Sequence, residues 1–471
     1  MGLEPGFQKR MYEHYWRPME LDFGQVAYNE HFDAFMRHYL TVRTGEIPRQ
    51  DAVYQAFKTW SRSAEAGSTE NLLNDVLSFA RYYCVIALGS KANNELMRSL
   101  RDLRELKVDV AYPFLLELFH DHSEGRLTES ELIAIIRIVE SYVFRRAVCM
   151  IPANSLNKTF ARFTASIDKS RYFESVQVQF MSLPSYRRFP SDSEFERDIQ
   201  ARDLYNFRSR SYWLRRLENH GRKEPVQIEG LTIEHIMPQN KDLSEAWRQD
   251  LGDEWERTWS LYLHTLGNLT LTGYNPELSD RPFKTKRDME GGFKDSPIRM
   301  NQDLAKRDHW NEEAIKERAA DLANKAVKVW SSPKVSEEII EAHIPKREGA
   351  KYTLKDHEHL DSGTQRELFE ALQKEIMALD PCVVMEVLKL YIAFKAETNF
   401  VDVVPKAKGL VLSLNVEFGE IEDPQGRCED VTDKGRWGNG DVRVLLNNIS
   451  DLPYVMGLVR QSLEKQLGQP V

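Results

Sequence analysis

Apolar residues recur at three- and four-residue spacing through most of the first 165 positions of the chain. The pattern is clearest in LLNDVLSFARYYCVIAL, in PFLLELFHDH and in ESELIAIIRIVESYVFRRAVCMI. Such spacing places the apolar side chains on one face of an α-helix. Thr128, which precedes Glu129 and Glu131, is a suitable N-cap for the last of these helices. Residues 1–165 are therefore predicted to form a helical scaffold domain.

Short β-prone runs replace the helical pattern between residues 226 and 300. The runs VQIEGLTIEHI and LGNLTLT are separated by a helical stretch that carries Trp247, Trp255 and Trp259, which we expect to pack against a core rather than to stack on bases. Helical spacing returns at 302–330, where Asn311 is placed to cap the helix. The pattern predicts a second domain at 166–335, in which two strands are embedded in helices.

The chain ends in a third region, 352–471, which follows a charged stretch at 331–351 that we interpret as a linker. TQRELFEALQKEIMAL and VVMEVLKLYIAF are predicted as helices, and YVMGLVRQSLEKQL as a terminal helix. NFVDVVPKAKGLVLSLNVEF and GDVRVLLNN have the character of strands. This region is predicted to be a small α+β domain, so the expected fold class is multidomain, mainly α with α+β.

The distribution of charge along the chain differs locally from the net charge of the whole chain. The formal net charge of −9 argues mildly against a nucleic-acid partner, but nucleic acid responds to local fields. Two basic stretches, at 202–223 and 281–287, flank the predicted strands. A solvated helix face is the alternative interpretation of each stretch. The candidate phosphate contacts that we select from them are Arg215, Arg216, Arg281, Lys284, Lys286 and Arg287.

Targeting signals and cysteine pairs are lacking in the sequence. No apolar run approaches the roughly 20 residues of a membrane span, and the first residues do not have the pattern of a secretory signal. The four cysteines form no CxxC pair, so neither a zinc ribbon nor a disulfide framework is indicated. We therefore expect a cytoplasmic protein without a membrane partner, and the sequence leaves open whether it is a homo-oligomer.

The residues that could carry chemistry lie at the two predicted strands. The first strand ends in Glu234 and His235, and Pro238 marks its exit; the second carries Asn268, and Asn275 follows seven residues later at a turn into a helix. Hydrolysis of a phosphodiester needs a base that titrates near neutrality, a hard cation beside the leaving oxygen, and a group that fixes the base. Imidazole, carboxylate and amide groups can meet these needs.

These strings resemble the ββα-metal (HNH) nucleases, whose common pattern is D-H-I-x-P-Q, then an N-L-x-L strand and a helix with His or Asn. The resemblance implies that His235 is the general base, that Asn268 orients it, and that Glu234 and Asn275 bind Mg²⁺ or Mn²⁺. Glu234 replaces the commoner Asp. The 33 residues between His235 and Asn268 are a long separation, which requires an inserted helical segment.

The resemblance extends to the GmrSD family of modification-dependent restriction endonucleases. It covers EHIMPQ, HTLGNLTLTGYN and LSDRPFKTKR, and the strings YEHYWRPMELDF and IPANSLNKTF in the helical region. It implies that the substrate is DNA, including modified phage DNA, in an anti-phage defence system. Similar proteins carry an NTP-hydrolysing, ParB-like domain with an Asp-Gly-Gln-Gln-Arg motif, which does not occur in this chain. We expect a separate domain or subunit to supply that activity.

Two other functions remain open on the sequence alone. A DNA-binding or regulatory scaffold could keep a degenerate HNH finger without cutting, and its support is the acidic net charge and the glutamate at 234. An RNase toxin is a weaker alternative. His264 lies close to Asn268 but precedes the strand, and we interpret it as a packing or capping histidine, with substrate contact as the alternative.

Overall fold

A computed structural model describes residues 5–89, 92, 94–153, 155–183, 187–228, 230–336, 338–340, 352–360, 363–380, 383–396, 398–432 and 440–467. Cys382 and positions 341–351 of the predicted linker lie outside these residues. Helices dominate, and two antiparallel sheets of two and six strands complete the secondary structure of the described residues. The predicted fold class, multidomain and mainly α with α+β, is confirmed.

The chain forms two compact units. The first comprises Met1–Met150, Phe160–Gln177 and Phe189–Lys334, and the second comprises Ile151–Thr159, Val178–Arg188 and Val335–Val471. The regions predicted as the helical scaffold (1–165) and as the strand-containing domain (166–335) therefore contribute mainly to the same unit. The predicted α+β domain (352–471) belongs to the other.

Eighteen helices are described before residue 335, together with two π-helical turns at Tyr12–Trp16 and Cys84–Leu88. The helices are α1 (Pro5–Met11), α2 (Arg17–Phe23), α3 (Gln25–Thr44), α4 (Val53–Trp60), α5 (Thr69–Tyr83), α6 (Glu95–Leu106), α7 (Tyr112–Ser123), α8 (Glu129–Val148), α9 (Leu156–Ala161), α10 (Tyr172–Met181), α11 (Asp192–Ala201), α12 (Arg210–Asn219), α13 (Glu245–Leu251), α14 (Trp255–Tyr262), α15 (Asn275–Leu278), α16 (Phe283–Asp288), α17 (Arg299–Gln302) and α18 (Glu312–Val329). None of the helices that the structure describes combines the length and the apolar character needed to cross a bilayer.

Side-chain caps fix the starts of α8 and α18, as the sequence predicts. The Thr128 hydroxyl accepts a hydrogen bond from the Glu131 amide, and the Glu131 side chain accepts one from the Thr128 amide, which completes a capping box at α8. Asn311 caps α18 by accepting a hydrogen bond from the Ala314 amide. Both predicted caps are confirmed.

The two predicted strands are present and pair with each other. β1 (Thr232–His235) and β2 (Leu269–Thr272) are antiparallel, with Thr232 opposite Thr272 and His235 opposite Leu269. Asn268 was predicted on the second strand, but it ends the short 3-10 helix Leu266–Asn268 that directly precedes β2. Helices α13 and α14 lie between the strands in sequence, and α15 and α16 follow β2. Trp247 is fully buried in the core beneath these helices, and Trp255 and Trp259 pack against that core, which confirms their predicted packing role.

Helix α18 holds the start of β2. The buried guanidinium of Arg318 donates hydrogen bonds to the carbonyls of Leu266, Gly267 and Leu269, at 3.3, 2.7 and 2.9 Å. At Gly267 the helix backbone comes so close that a Cβ atom would lie 2.8 Å from Cγ2 of Ile315 and would overlap the Ile315 carbonyl oxygen. The glycine of the GNLTL string therefore permits the close approach of α18 to β2.

The second unit contains a six-stranded antiparallel sheet in the order β3-β4-β5-β6-β8-β7. Its strands are β3 (Val384–Val387), β4 (Ile392–Lys395), β5 (Asn399–Lys406), β6 (Gly409–Leu414), β7 (Glu429–Asp430) and β8 (Val442–Leu446), and its helices are α19 (Thr364–Leu379) and α20 (Leu452–Leu467). Apolar residues of both helices and of the sheet share one core. The α+β prediction for this region is confirmed.

One predicted helix of this region is wrong. The run VVMEVLKLYIAF forms the hairpin of β3 and β4 instead, with Val387 opposite Ile392. Short apolar runs do not distinguish a buried helix from a strand. Here pairing of β4 with β5 supplies the backbone hydrogen bonds, and the β-branched Val and Ile side chains suit a sheet.

We predict that Gly267→Ala destabilises the first unit by about 1–3 kcal/mol, because the added methyl group has no space beside Ile315. Urea unfolding should show a lower midpoint. Gly273→Ala is the matched control, since its Cβ would meet only Leu231 Cδ2 at 3.7 Å. Equal unfolding midpoints for the two variants would contradict the proposed close packing.

Candidate active site at the end of strand β1

Strand β1 presents Glu234 and His235 to opposite sides of the two-stranded sheet, because successive side chains of a strand alternate. Both residues are buried, with 2% and 4% of their surfaces exposed. Beyond the strand, the Ile236 amide donates a hydrogen bond to the Asn268 carbonyl at 3.0 Å, so the chain stays paired after His235. The two functional groups therefore occupy two separate environments that meet at one strand end.

Asn268 fixes the backbone at this strand end. Its Oδ1 accepts hydrogen bonds from the Met237 amide at 2.8 Å and from Trp310 Nε1 at 3.2 Å. Its Nδ2 donates to the carbonyls of Met237 and Leu263, both at 3.0 Å. The fully buried amide group thus uses its hydrogen-bonding capacity on the backbone and on Trp310. Asn268 lies close to the predicted base, but it positions the chain that carries His235 rather than the imidazole ring.

The hydrogen-bond partner of the His235 ring is His264. Nε2 of His235 and Nδ1 of His264 are 3.0 Å apart. The Tyr205 ring stacks on His264, with centroids 5.1 Å apart and planes inclined by 12°. Its centroid lies 4.5 Å from that of the His235 ring, with the planes inclined by 66°. The Leu204 amide donates to the His264 carbonyl at 2.9 Å, which ties the 202–209 loop to this pair. His264 was interpreted from the sequence as a packing or capping histidine, and its contact with His235 was not predicted. Its position four residues before Asn268 was the signal that could have indicated a place in the site.

The environment keeps the His235 imidazole neutral. Burial, with smaller contributions from the charges of His264 and Lys286, lowers the pKa of His235 to about 3, and the Asp203 carboxylate opposes the shift. A neutral imidazole has a free lone pair on one ring nitrogen and a proton on the other. At neutral pH the ring therefore has an unprotonated nitrogen, but a pKa this low makes it a weak base until a nearby negative charge raises it.

On the other side of β1, Glu234 forms a buried ion pair with Lys286. The Lys286 ammonium lies 2.5 Å from Glu234 Oε1 and also donates to the carbonyls of His235 at 3.0 Å and Ile236 at 3.2 Å. Burial raises the pKa of Glu234 and lowers that of Lys286, and the mutual attraction of the two charges opposes both shifts. Lys286 was predicted to contact phosphate. Its fully buried side chain instead holds the strand end.

Asn275 and Asp280 complete the polar groups near Glu234. Asn275 begins α15, and its Nδ2 donates to the Ile233 carbonyl at 2.8 Å and to the Thr232 hydroxyl at 3.2 Å. Asp280 accepts a hydrogen bond from Asn240 at 2.8 Å, and its charge acts to raise the pKa of Glu234. Sequence reasoning did not single out Asp280.

The donor set has the oxygen chemistry that a hard divalent cation prefers, namely two carboxylates and an amide oxygen. Because Oε1 of Glu234 faces the Lys286 ammonium, Oε2 is the oxygen that could serve such an ion. Among the described residues, the cluster of His, Cys, Asp or Glu residues with mutually close ligand atoms is Cys149, Glu194 and Asp198, and Glu234 is not part of it. A cation at β1 would therefore need the Asn275 amide or Asp280 as further ligands.

The other predicted phosphate contacts fall into two groups. Arg281 and Lys284 are exposed. Arg287 pairs with Asp288 at 2.7 Å and Asp308 at 2.9 Å, which uses its guanidinium within the protein. Arg215 and Arg216 are also bound in ion pairs with carboxylates, and only 11% and 16% of their side chains are exposed. Arg281 and Lys284 therefore differ from the other three in having no ion-pair partner among the described residues.

Two basic residues that were not selected from the sequence follow Tyr205 in the chain, and one of them contacts the Tyr205 ring. Arg208 and Arg210 are exposed in the segment that follows Tyr205. The Arg210 guanidinium lies 4.9 Å from the centroid of the Tyr205 ring, which in turn covers His264. The sequence showed the basic stretch at 202–223, but only the tertiary structure distinguishes its exposed members from its paired ones.

Comparisons with known proteins show what two segments of this chain are similar to. Residues 189–325 match the family described as GmrSD restriction endonucleases, C-terminal domain. Residues 355–465 match a domain of unknown function, DUF5655. An uncharacterized protein of Haemophilus influenzae is 34% identical over 111 residues, which are 23% of this chain and 37% of that relative. The aligned segment thus spans little more than a third of the relative's length. The first match indicates a nuclease related to restriction endonucleases.

We predict that the ring protons of His235 do not titrate between about pH 8 and pH 5, because burial holds the imidazole neutral down to a pKa of about 3. NMR titration of the histidine signals tests this, with His235→Gln used to assign the resonance. Unfolding exposes a group of pKa near 6.5, so this residue also makes the fold less stable as the pH falls below that value. A midpoint near 6.5 in the folded protein would contradict the prediction.

Proposed function

We propose that the chain is a DNA endonuclease in which His235 is the general base of phosphodiester hydrolysis, because residues 189–325 match the C-terminal domain of GmrSD restriction endonucleases. The observation that carries the proposal is the neutral imidazole at the end of β1, hydrogen-bonded through Nε2 to a second histidine. General-base catalysis requires such an unprotonated ring with a fixed orientation.

In this proposal His264 is a positioning residue. When the proton of the His235 ring is on Nε2, it is donated to Nδ1 of His264, and Nδ1 of His235 is free to take a proton from the attacking water. Tyr205 restricts both rings by contact. A bound phosphate would bring negative charge near His235 and raise the pKa of the imidazole from its low value toward neutrality.

We propose that Mg²⁺ or Mn²⁺ is held by Glu234 and Asn275, with Asp280 as a further carboxylate. When bound, the cation would stabilise the charge that develops on the leaving oxygen and on the substrate phosphate. The support is the oxygen donor set at the edge of β1. Lys286 places the strand end through Glu234 and two carbonyls, and it reduces the negative charge that a cation would meet.

The DNA backbone would lie along exposed cations near the histidine pair. Arg208 and Arg210 follow Tyr205, and Arg281 and Lys284 lie near Asp280 in sequence. Arginine and lysine at such positions make the salt-dependent contacts typical of phosphate binding. The substrate that the family resemblance implies is DNA, including modified phage DNA, with NTP hydrolysis supplied by a separate ParB-like domain.

A DNA-binding module that does not cut is the second candidate. The observation that favours it is the low exposure of His235 and Glu234, together with the neutralisation of Glu234 by Lys286. In this case the strand end would be a structural element and the exposed arginines would carry the function. The two candidates differ in one measurement, which is divalent-dependent strand cleavage by the purified protein.

We predict that His235→Ala lowers plasmid nicking by about 100- to 10,000-fold, the range that a general base contributes, while DNA affinity stays unchanged. Gel assays of nicking and fluorescence anisotropy of a labelled duplex measure the two quantities. His309→Ala, an exposed histidine of the same unit, is the matched control. His264→Gln should lower kcat more than it changes KM and should alter the pH profile. An active His235→Ala protein would refute the assignment.

We predict that Asn275→Ala and Glu234→Gln each weaken Mn²⁺ binding at least about tenfold, because the first removes an oxygen ligand and the second replaces a charged carboxylate with a neutral amide. Isothermal titration calorimetry in the His235→Ala background measures binding without turnover. Asn324→Ala, on the exposed face of α18, is the control. If the parent protein binds no Mn²⁺, or if both variants bind as well as the control, the proposed ligands are incorrect.

A further inference from the structure

A cavity of about 620 Å³ in the first compact unit has an unusually basic wall. It is formed by residues of α6, α8 and α12 and by the segment that follows α12. Seven of the described residues that line it are arginine or lysine, and two are acidic. It shares no lining residue with the His235–His264 pair, so it is separate from the candidate active site.

The deeper part of the wall is a network of guanidinium and carboxylate groups. The buried carboxylate of Asp102 contacts Arg137 at 2.5 Å, Arg215 at 2.7 Å and Arg216 at 3.5 Å. Glu140, also buried, contacts Arg137 at 2.6 Å and Arg216 at 2.7 Å. Burial opposes ionisation of Glu140, but the neighbouring Arg216 and Arg137 outweigh it and lower its pKa. These three guanidiniums are thus held in fixed positions by two carboxylates.

The outer part of the wall adds cations that lack an acidic partner among the described residues. Arg98 is exposed, and the hydrogen bond found for its side chain is to the Asn94 carbonyl at 3.4 Å. Lys223 is exposed and lines the same cavity. The positive groups remain in excess even when the carboxylates that pair with the wall from behind are counted. The seven arginine and lysine side chains are then opposed by five carboxylates, those of Glu95, Asp102, Glu105, Glu140 and Glu218.

An excess of positive charge in a concave wall concentrates the electrostatic potential inside it and favours an anion. Guanidinium groups match phosphate oxygens in geometry, and Arg215 and Arg216 are already oriented by their carboxylate partners. The volume lies within the range of about 300–1,000 Å³ that ligand pockets occupy, and it exceeds what one phosphate group fills.

We propose that this cavity binds a ligand with two or more phosphate groups, held by Arg98 and Lys223 at its mouth and by Arg215 and Arg216 deeper inside. Adjacent phosphates of a DNA strand and a free polyphosphate share this chemistry. The proposal does not depend on hydrolysis at His235. It also gives a role to Arg215 and Arg216, which the ion pairs alone leave without a functional explanation.

The experiment measures binding of three probes, without divalent metal, to the full chain carrying His235→Ala. The probes are pyrophosphate, tripolyphosphate and a labelled DNA duplex. Isothermal titration calorimetry measures binding of the two free phosphates, and fluorescence anisotropy measures binding of the duplex. The test variant is Arg98→Glu with Lys223→Glu, and the Lys223→Glu single variant accompanies it. Both positions are exposed, so folding should persist, and the thermal unfolding midpoint checks this. The control is Lys58→Glu, at an exposed lysine of α4 outside the cavity.

We expect the double variant to bind at least one probe about tenfold more weakly or worse, and the single variant to show part of that loss. The control should bind as the parent does. Loss confined to the duplex, with a smaller salt dependence of binding, would identify the strand backbone as the ligand, and loss for the free phosphates would identify a polyphosphate. If the parent binds none of the probes, or if the test and control variants bind equally, the cavity is not a phosphate site.

Discussion

The buried ammonium of Lys286 is the contact on which the arrangement at β1 depends. It joins the Glu234 carboxylate to the carbonyls of His235 and Ile236, and so connects α16 to the end of the strand. Removing one partner of such a buried pair typically costs about 3–5 kcal/mol, because the other charge is left without compensation. Asn268 holds the next residue, Met237, through both of its amide atoms. The position of His235 therefore follows from two side chains that bind backbone rather than the imidazole.

The helical surroundings make this strand end rigid. Arg318 of α18 binds three carbonyls at the start of β2, and Gly267 allows that helix to approach the backbone closely. A two-stranded sheet is marginal in isolation, so β1 and β2 require this packing. The helices are thus the frame that positions the histidine pair, and the long separation between the strands is accommodated by α13 and α14, whose tryptophans fill the adjoining core.

Charge in this protein is organised locally rather than globally. A net charge of −9 coexists with an exposed Arg210 over Tyr205 and with a cavity whose charged lining residues are mainly arginine. Basic residues that are close in sequence occupy different environments. Arg210 lies exposed over Tyr205, whereas Arg216 forms ion pairs with buried carboxylates. A phosphate-bearing ligand responds to these local fields, because screening at physiological salt limits charge interactions to about 8 Å.

The sequence by itself determined the elements whose signals are local. Helical periodicity, the caps at Thr128 and Asn311, the strand that ends in His235, the strand that follows Asn268, and the family resemblance could all be read from neighbouring residues. The strands of the run VVMEVLKLYIAF could not be predicted in this way, because they depend on pairing with residues outside the run. Only the tertiary structure decided that His264 meets the His235 ring, that Asn268 binds backbone, and that Lys286 is buried against Glu234. These partners are separated by 29, 31 and 52 residues, and side-chain direction at such distances is set by packing, which no local pattern encodes.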